Sequence, residues 1–388
     1  MNQPWMERAL TQLQTPFYLF DTDAAAAQVE ALRKKLPDRV GLCYAVKANP
    51  FLIRDLEPVV DHFEVCSPGE FRICERLGIP MGKVVMSGVY KNPADLERVL
   101  DCWGSGLTYT VESPRQWQLI REGAAHRGLQ VTALLRLSVG NQFGMDPEEI
   151  KSILREALPA VRVTGIQLFS GTQKKTGGRI RRELDKVDRF LAELETECGW
   201  RPEVLEYGPG LPVQYFEGEA DPAPEVEESL RAGLEEMRYQ GPVTLELGRY
   251  FAACAGSYAT RIVDIKTNLG RRYCIVDGGI HQVNYYGQLL ATKRPPVEVV
   301  PARSGAGEPY TVCGALCTAN DVLLKEFPLS DPQVGDVLIF GRTGAYSCME
   351  GMSLFLSRDL PQVALCSARD GLRLVRAAVP TDPWNGEH

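Results

Sequence analysis

The stretch VGLCYAVKANP, residues 40–50, is an apolar run that ends in a lysine and is followed by a proline. Its β-branched and aromatic residues indicate a buried strand, and Pro50 ends the segment. Runs of the same kind recur along the chain: HFEVCS (62–67), KVVMSG (83–88), LTYTVE (107–112), QVTALLRL (130–137), VRVTGIQLF (161–169), EVLEYG (203–208) and VTLELG (243–248). The opening stretch is therefore the first of eight predicted strands.

Segments with helical periodicity separate these runs. They are GEFRICERLG, NPADLERVLDCW, SPRQWQLIREGAAHRG, DPEEIKSILREAL, RIRRELDKVDRFLAELETECGW and EVEESLRAGLEEMRY. Ser113 and Asp146 occupy N-cap positions, each followed by a proline that preorganises the first helical turn. Eight strands that alternate with helices over about 230 residues fit an α/β fold of the (β/α)₈ barrel type, for which about 250 residues is typical.

The pattern changes after residue 250, where strand-like runs dominate and glycine and proline punctuate the sequence. These runs are AACAGSYATRIVDIKTN, RRYCIVDGG, VEVVPAR, YTVCGALC, VLIFGR and LRLVRAA. We predict a barrel at residues 21–252 and a mainly β C-terminal domain at 253–388, with residues 1–20 forming an N-terminal segment that packs on the C-terminal domain.

The composition of the chain indicates which classes of binding partner and which cellular location to expect. The formal net charge of −7 makes nucleic acid and anionic membrane surfaces poor partners. No window approaches the roughly 18 apolar residues of a membrane span, and the amino terminus has no signal-peptide pattern. The 11 cysteines are scattered without CxxC pairs, which argues for reduced thiols and against a metal cluster. We expect a cytoplasmic protein without a metal site.

Barrel enzymes place their chemistry at the carboxyl ends of the strands. Lys47 follows the first strand there, and Cys66 and Ser67 follow the second. Glycines, a hydroxyl and an arginine follow the last three strands, in FSGT (169–172), GPG (208–210) and Gly248-Arg249. Such groups can bind a phosphate, and a lysine facing them can form a Schiff base with pyridoxal 5′-phosphate (PLP). Each feature alone is common on protein surfaces. The prediction therefore depends on all of them following strand ends, which lie at the same end of a barrel.

Ordered motifs across nearly the whole chain carry a family resemblance. They are YAVKANP, EVCSPGE, EYGPGLP, ELGRY, CGALCTANDVL and GAYS. In this order they resemble the fold-type III PLP-dependent decarboxylases of ornithine, diaminopimelate and arginine. The resemblance implies an alanine-racemase-like barrel followed by a β domain. It also implies a head-to-tail homodimer with shared active sites, and decarboxylation of an amino acid through an external aldimine and a quinonoid intermediate.

The resemblance also implies residue roles. Lys47 would be the Schiff-base lysine, Glu246 the acid that keeps the pyridine nitrogen protonated, and Cys317 a proton donor to Cα supplied by the other subunit. The residues that match cofactor contacts, most of them to the phosphate, are Thr172, Gly208, Gly210, Gly248, Arg249 and Tyr346.

Departures from the family pattern bear on the substrate. FSGTQ replaces the usual histidine with Phe169, which would stack on the cofactor ring. Thr318 stands where decarboxylases of basic amino acids carry a carboxylate, which weakens diamino acids as substrates, although Asp321 could partly substitute. The stretch DGGIHQVNYYGQ (277–288) lacks the arginine by which diaminopimelate enzymes bind a distal carboxylate. The predicted substrate contacts are Arg136, His281, Tyr286, Thr318 and Asp321.

The departures are similar to those of a subgroup from secondary metabolism, which includes decarboxylases of glutamate tethered to an acyl-carrier protein. The sequence leaves a free and a carrier-bound substrate open. A racemase or epimerase would use the same barrel and lysine with a second base, for which Tyr346 or Tyr286 would be the candidates. A non-catalytic PLP-binding protein is a further alternative, but such single-domain proteins lack a second domain.

Overall fold

The computed structural model describes residues 3–156, 159–285 and 291–387. They divide into two compact units. The barrel unit contains Gln28–Val213 and Asp221–Tyr250, and the sheet unit contains the residues up to Ala27, Gln214–Ala220 and those from Phe251 onward. These divisions differ from the predicted boundaries by several residues at the amino-terminal end, and residues 214–220 interrupt the barrel unit.

The first elements of the chain are helix α1 (Gln3–Gln12), strand β1 (Phe17–Asp21) and helix α2 (Thr22–Arg33). All three precede the first predicted strand, and none of them was predicted. α1 and β1 contribute to one apolar cluster of the sheet unit, which includes Met6, Phe17 and Ile339.

A closed parallel barrel forms the centre of the barrel unit. Its strands are β2 (Val40–Ala45), β3 (His62–Val65), β4 (Val84–Met86), β5 (Thr108–Val111), β6 (Val131–Arg136), β7 (Val161–Phe169), β8 (Val204–Gly208) and β9 (Val243–Leu247). Parallel pairing of β9 with β2 closes the barrel and places Glu246 opposite Cys43. The eight predicted strands are confirmed, each within two residues at either end.

Helices follow the barrel strands. They are α3 (Ile53–Leu56), α4 (Pro68–Arg76), α5 (Pro93–Cys102), α6 (Pro114–His126), α7 (Pro147–Arg155), α8 (Gly177–Cys198), α9 (Ala223–Glu236) and α10 (Arg249–Ala252). The predicted N-caps are confirmed: Ser113 Oγ accepts from Gln116 N at 3.2 Å, and Asp146 N donates to Glu149 Oε2 at 3.2 Å. These caps satisfy backbone groups that a helix end leaves without a partner.

The sheet unit is mainly β, as predicted. Its further strands are β10 (Gly256–Asn268), β11 (Arg271–Val276), β12 (Val297–Val300), β13 (Glu308–Cys313), β14 (Val322–Leu329), β15 (Val337–Gly341), β16 (Gln362–Ser367) and β17 (Gly371–Arg376). They form one sheet with the order β14-β13-β11-β10-β1-β16-β17, and β15 pairs with both β10 and β12. β14 and β16 were not predicted. In β14, Lys325, Glu326 and Pro328 interrupt the apolar pattern.

β1 lies inside this sheet. It pairs antiparallel with β10, where Phe17 faces Ala259, and parallel with β16, where Phe17 faces Gln362. Among the described residues, no helix is long and apolar enough to cross a membrane.

Candidate active site

Lys47 lies at the carboxyl end of β2, in the short turn Val46–Ala48. Its Nζ is 2.5 Å from Glu64 Oε2 on β3 and 3.2 Å from Glu246 Oε1 on β9. The three residues meet because β9, β2 and β3 are neighbours in the closed barrel. The lysine side chain is 37% exposed, whereas both carboxylates are buried. Solvent therefore reaches the lysine but hardly reaches its counter-charges.

The amine and the two carboxylates shift one another's pKa. Burial lowers the pKa of Lys47, but the charges of Glu64 and Glu246 outweigh burial and raise it well above its usual value. Burial raises the pKa of Glu64, but the charge of Lys47 outweighs this and lowers it. Burial and the charge of Glu64 raise the pKa of Glu246. The ammonium therefore faces one firmly ionised carboxylate and one that binds a proton more readily.

A third buried carboxylate, Glu206 on β8, lies in the same barrel. Gln167 Nε2 donates to Glu206 Oε1 at 2.6 Å. Burial, together with the charges of Glu246 and Glu64, raises the pKa of Glu206 to about 8. At neutral pH this carboxyl is therefore mainly protonated.

The loops after β7 and β8 touch each other through glycine. A Cβ on Gly210, which has φ +62°, would lie 2.1 Å from Gly171 O and 3.0 Å from Thr172 Cα. A Cβ on Gly208 would lie 2.3 Å from Cδ2 of Phe169. Only glycine permits these close contacts. Glycine at both positions therefore allows the two predicted cofactor-binding loops to pack against each other.

The end of β9 packs against the segment that carries the lysine. A Cβ on Gly248 would lie 2.8 Å from Ala48 Cβ and 3.1 Å from Ala45 O. Arg249 follows as the first residue of α10. The structure therefore places the predicted residues after β9 beside the turn of Lys47.

A buried ion pair anchors the loop after β7. Lys174 is fully buried, and its Nζ binds Glu183 and lies 5.3 Å from the centroid of the Tyr207 ring. Tyr207 Oη donates to Glu183 Oε2 at 2.8 Å, and Lys174 N donates to Gly210 O at 3.0 Å. These contacts fix the backbone two residues beyond Thr172.

Arg136, a predicted substrate contact, ends β6 and is buried. Its Nη1 lies 3.0 Å from Glu112 Oε1, and its guanidinium lies 4.8 Å from the centroid of the Phe143 ring. Its positive charge also acts on Glu246, whose pKa it lowers against the larger effect of burial. Arg136 therefore already has a carboxylate partner in this structure.

The other predicted site residues belong to the sheet unit. Cys317 is exposed, and Thr318 is half-buried with its N–H donating to Leu316 O at 2.9 Å. Tyr346 has φ +67°, an unfavourable backbone conformation for a tyrosine. Tyr286 lies outside the described residues.

Asp321 and His281 are both buried in the sheet unit, in different environments. Asp321 Oδ1 accepts from Ile280 N at 2.8 Å and Oδ2 from Leu316 N at 2.7 Å, so both carboxylate oxygens join loops of its own unit. The two ring nitrogens of His281 have no hydrogen-bond partner among the described residues. Burial lowers its pKa to about 4, so the ring is neutral at physiological pH.

Sequence reasoning missed Glu64, Glu206 and Lys174. Glu64 and Glu206 interrupt the apolar runs HFEVCS and EVLEYG, and a carboxylate inside a strand that is buried on both faces was the available signal. Lys174 stands in the polar stretch TQKKTGG, where nothing in the sequence indicates burial.

Comparisons with known proteins identify the family of the chain. Residues 23–253 match the family model of the pyridoxal-dependent decarboxylases, described as their pyridoxal binding domain. Diaminopimelate decarboxylase from Deinococcus radiodurans is 28% identical over 403 residues, which cover 98% of each chain. The decarboxylase of the L-glutamyl-BtrI acyl-carrier protein from Niallia circulans is 26% identical over 385 residues, 91% of this chain and 89% of that one.

A solved structure shares the whole fold. The crystal structure of diaminopimelate decarboxylase from Helicobacter pylori in complex with L-lysine aligns with a TM-score of 0.83 and 22% identity over 98% of each chain. The comparisons favour decarboxylation over the racemase and the non-catalytic alternatives. The predicted family, fold and cofactor are confirmed, and the chain belongs to the pyridoxal-dependent decarboxylases as a PLP-dependent amino-acid decarboxylase.

Proposed function

We propose that Lys47 binds PLP covalently and that Glu246 faces its ring nitrogen. When bound, PLP supplies the electron sink that accepts the electron pair left on Cα as carbon dioxide departs. The residues fit this group, since a partly exposed amine adjoins a buried carboxylate at the carboxyl end of the barrel. Nζ and Oε1 of this pair are only 3.2 Å apart, so the two side chains must separate to admit a ring.

Each of the two residues has a defined task. Lys47 Nζ must lose its proton before it can act as a nucleophile, and Glu64 opposes that loss by stabilising the ammonium. Glu246 accepts the hydrogen bond from a protonated ring nitrogen, and this positive charge would stabilise its ionised form. Orientation of the α-carboxylate perpendicular to the ring is the remaining contribution of the pocket.

The loops after β7, β8 and β9 are the proposed phosphate site. Thr172 offers a hydroxyl, Gly210 and Gly248 offer backbone N–H groups without side-chain obstruction, and Arg249 offers charge. The close approach of Gly210 to Thr172 supports this assignment. Phe169 remains the proposed ring contact, Gly208 a proposed cofactor contact and Tyr346 a further phosphate contact.

Cys317 is the proposed proton donor to Cα, supplied by a second copy of the chain. Its exposure in the sheet unit supports a role toward another molecule. Mixing Lys47→Ala with Cys317→Ala, both inactive alone, should then restore part of the activity through hybrid sites. No recovery after confirmed subunit exchange would mean that each site is built from a single chain.

The substrate has an uncharged or tethered distal end. The observation that carries this is the position of Asp321, whose two oxygens both accept backbone hydrogen bonds while the residue is only 2% exposed. With Thr318 beside Cys317, the stretch CTAND then offers no free carboxylate to a distal ammonium. An ammonium buried without a partner costs several kcal/mol, on the order of a thousandfold in rate.

Glutamate linked to an acyl-carrier protein meets this requirement. Decarboxylation needs a free α-carboxylate, so the link must use the side-chain carboxyl, which neutralises the distal end. The similarity to the Niallia circulans enzyme supports this substrate and a place in secondary metabolism. Diaminopimelate is the second candidate, because the similarity to the Deinococcus radiodurans enzyme covers 98% of both chains.

A substrate panel separates the candidates. We expect carbon dioxide release from carrier-linked glutamate, and poor kcat/KM for free ornithine, lysine, arginine, diaminopimelate and glutamate. Thr318→Asp should improve discrimination toward diamino acids. Efficient turnover of a free diamino acid, with the carrier-linked substrate untouched, would refute the tethered substrate. A cytoplasmic location stays a prediction, which fractionation of the producing cells would check.

A further inference from the structure

Helix α8 carries a row of basic residues on its outer face. Arg182, Lys186 and Arg189 follow one another within α8 at spacings of four and three residues, and Lys175 lies two residues before the helix begins. These spacings place side chains on one face of a helix. All four are exposed, and among the described residues none of them has a carboxylate within ion-pairing distance. We call these four residues the basic stripe.

The basic stripe lies opposite the buried face of α8. The helix buries Ile180, Leu184, Val187, Leu191 and Leu194. These residues have the same alternating spacing as the stripe, and each stripe residue in α8 follows a buried residue by two positions. Two residues correspond to about 200° around a helix. The three stripe residues within α8 therefore point away from the barrel.

Nearby carboxylates do not neutralise the stripe. Glu183 is bound by Lys174 and Tyr207, and the carboxylate of Asp188 accepts the backbone N–H groups of Arg238 and Tyr239. Only Asp185 presents an exposed carboxylate within the span of the stripe. The stripe is therefore a local positive surface on a chain whose formal net charge is −7.

Helix stability does not account for this arrangement. The first turn of α8 has no acidic residue, and basic residues occupy its amino-terminal half, where the helix dipole favours negative charge. The i,i+4 pair Arg182 and Lys186 and the i,i+3 pair Lys186 and Arg189 repel each other. Single surface cations need no partner, but a row placed against the helix dipole fits an external anionic partner better than an intramolecular role.

The location of the stripe links it to the active-site end of the barrel. Seven residues separate β7 from α8, which runs back along the barrel, so the amino-terminal half of α8 adjoins the strand ends where Lys47 lies. From Arg182 to Arg189 the helical part of the stripe spans about 10 Å at 1.5 Å per residue. A partner seated there could present an attached substrate to that end.

We propose that the basic stripe docks a small acidic protein that carries the substrate, through complementary charge. This inference rests on the proposed tethered substrate. The rest of the acidic surface repels an acidic carrier, so the stripe also determines the orientation of approach. A free amino acid needs no such surface.

The test reverses two charges of the stripe and compares two forms of one substrate. The variant is Arg182→Glu with Lys186→Glu. The matched control is Lys34→Glu with Arg76→Glu, which reverses two exposed cations elsewhere on the barrel unit that form no ion pair with another described residue. The substrates are glutamate joined through its side-chain carboxyl to an acidic acyl-carrier protein, and the same thioester on N-acetylcysteamine. Binding of the carrier protein without glutamate is measured separately by fluorescence anisotropy.

We expect the stripe variant to raise KM for the carrier-linked substrate about tenfold or more and to leave the N-acetylcysteamine thioester unchanged. The control should alter neither substrate, and the difference should shrink as ionic strength rises from about 0.05 to about 0.5 M because salt screens surface charge. Equal KM for variant and wild type would overturn the docking surface while leaving the decarboxylase function intact.

The binding measurement tests the docking surface even if the proposed substrate is wrong. If the wild type decarboxylates neither thioester, the tethered substrate is wrong. Loss of carrier binding in the stripe variant but not in the control would still support the docking surface. Absence of binding to the wild type would overturn it.

Discussion

Replacement of Glu64 by glutamine should speed the capture of PLP by the apoenzyme. At the observed 2.5 Å, two unit charges interact by about 1.7 kcal/mol even at a dielectric constant of ~80. We use this screened value because 37% of the lysine side chain is exposed. It corresponds to about 1.2 pKa units, or roughly a tenfold larger fraction of neutral amine.

The pH dependence has a definite sign. Because the pKa of Lys47 is raised, its amine is mainly protonated at assay pH, and the neutral fraction grows about tenfold per pH unit. The rate of capture should therefore rise with pH, and the Glu64→Gln profile should be displaced to lower pH. Stopped-flow absorbance of the cofactor on mixing with apoenzyme measures both effects.

Glu206→Gln is the matched control for this measurement. It makes the same chemical change in the same barrel, but the raised pKa of Glu206, about 8, means that little charge is lost at neutral pH. We expect its capture rate to stay close to that of the wild type. An unchanged or slower rate in Glu64→Gln, or an equal acceleration in Glu206→Gln, would refute the electrostatic account of Lys47.

Two further predictions concern buried groups. Lys174→Met should leave Glu183 short of a counter-charge, lower the free energy of unfolding by about 2 kcal/mol and weaken PLP affinity. Lys175→Met, at the exposed neighbour, should do neither. Thermal unfolding and equilibrium titration of the apoenzyme with PLP check this, and unchanged affinity in Lys174→Met would contradict it. His281 has a lowered pKa of about 4 in the folded chain against about 6.5 when unfolded, so its contribution to stability is present above about pH 6.5 and is lost as pH falls toward 4. His281→Phe should reduce that loss, as urea unfolding at pH 5 and pH 7.5 would show, and equal pH dependence in both proteins would count against it.

The barrel was predictable because its signals are local. Strand runs such as VRVTGIQLF are bounded by turn residues, and Ser113 and Asp146 mark helix starts with proline behind them. β1, β14 and β16 were not predicted. FYLFD becomes a strand only by pairing with β10 and β16, which are distant in sequence, and β14 carries charge and a proline.

The site was predictable only in part. Lys47 was singled out by its place at a strand end and Glu246 by the family resemblance, and their roles stay predictions. The contact between them follows from barrel closure. Glu64 carried a signal, a carboxylate inside a buried strand, but its 2.5 Å contact with Lys47 could not be predicted because it depends on the side-chain conformation of the lysine. The burial of Lys174 depends on the packing of α8 and β8, which one sequence does not encode locally.

A competing amine makes the central assignment sharply testable. Lys91 is also buried in the barrel unit, and burial lowers its pKa to about 8, so its amine loses a proton more easily than that of Lys47. However, its Nζ donates to Gly88 O and to Gln116 Oε1, each at 3.1 Å, and its side chain has no exposure comparable to that of Lys47. If the ease of deprotonation alone determined which lysine binds the cofactor, that lysine would be Lys91. If position at the strand ends determines it, that lysine is Lys47.

Borohydride reduction of the PLP-loaded protein, followed by peptide mass mapping, decides between the two lysines. We predict that the cofactor mass is found on the peptide that contains Lys47 and is absent from the Lys47→Ala protein, while Lys91→Met retains it. A reduced adduct on Lys91, or a reducible adduct that persists in Lys47→Ala, would contradict the assignment of the active site.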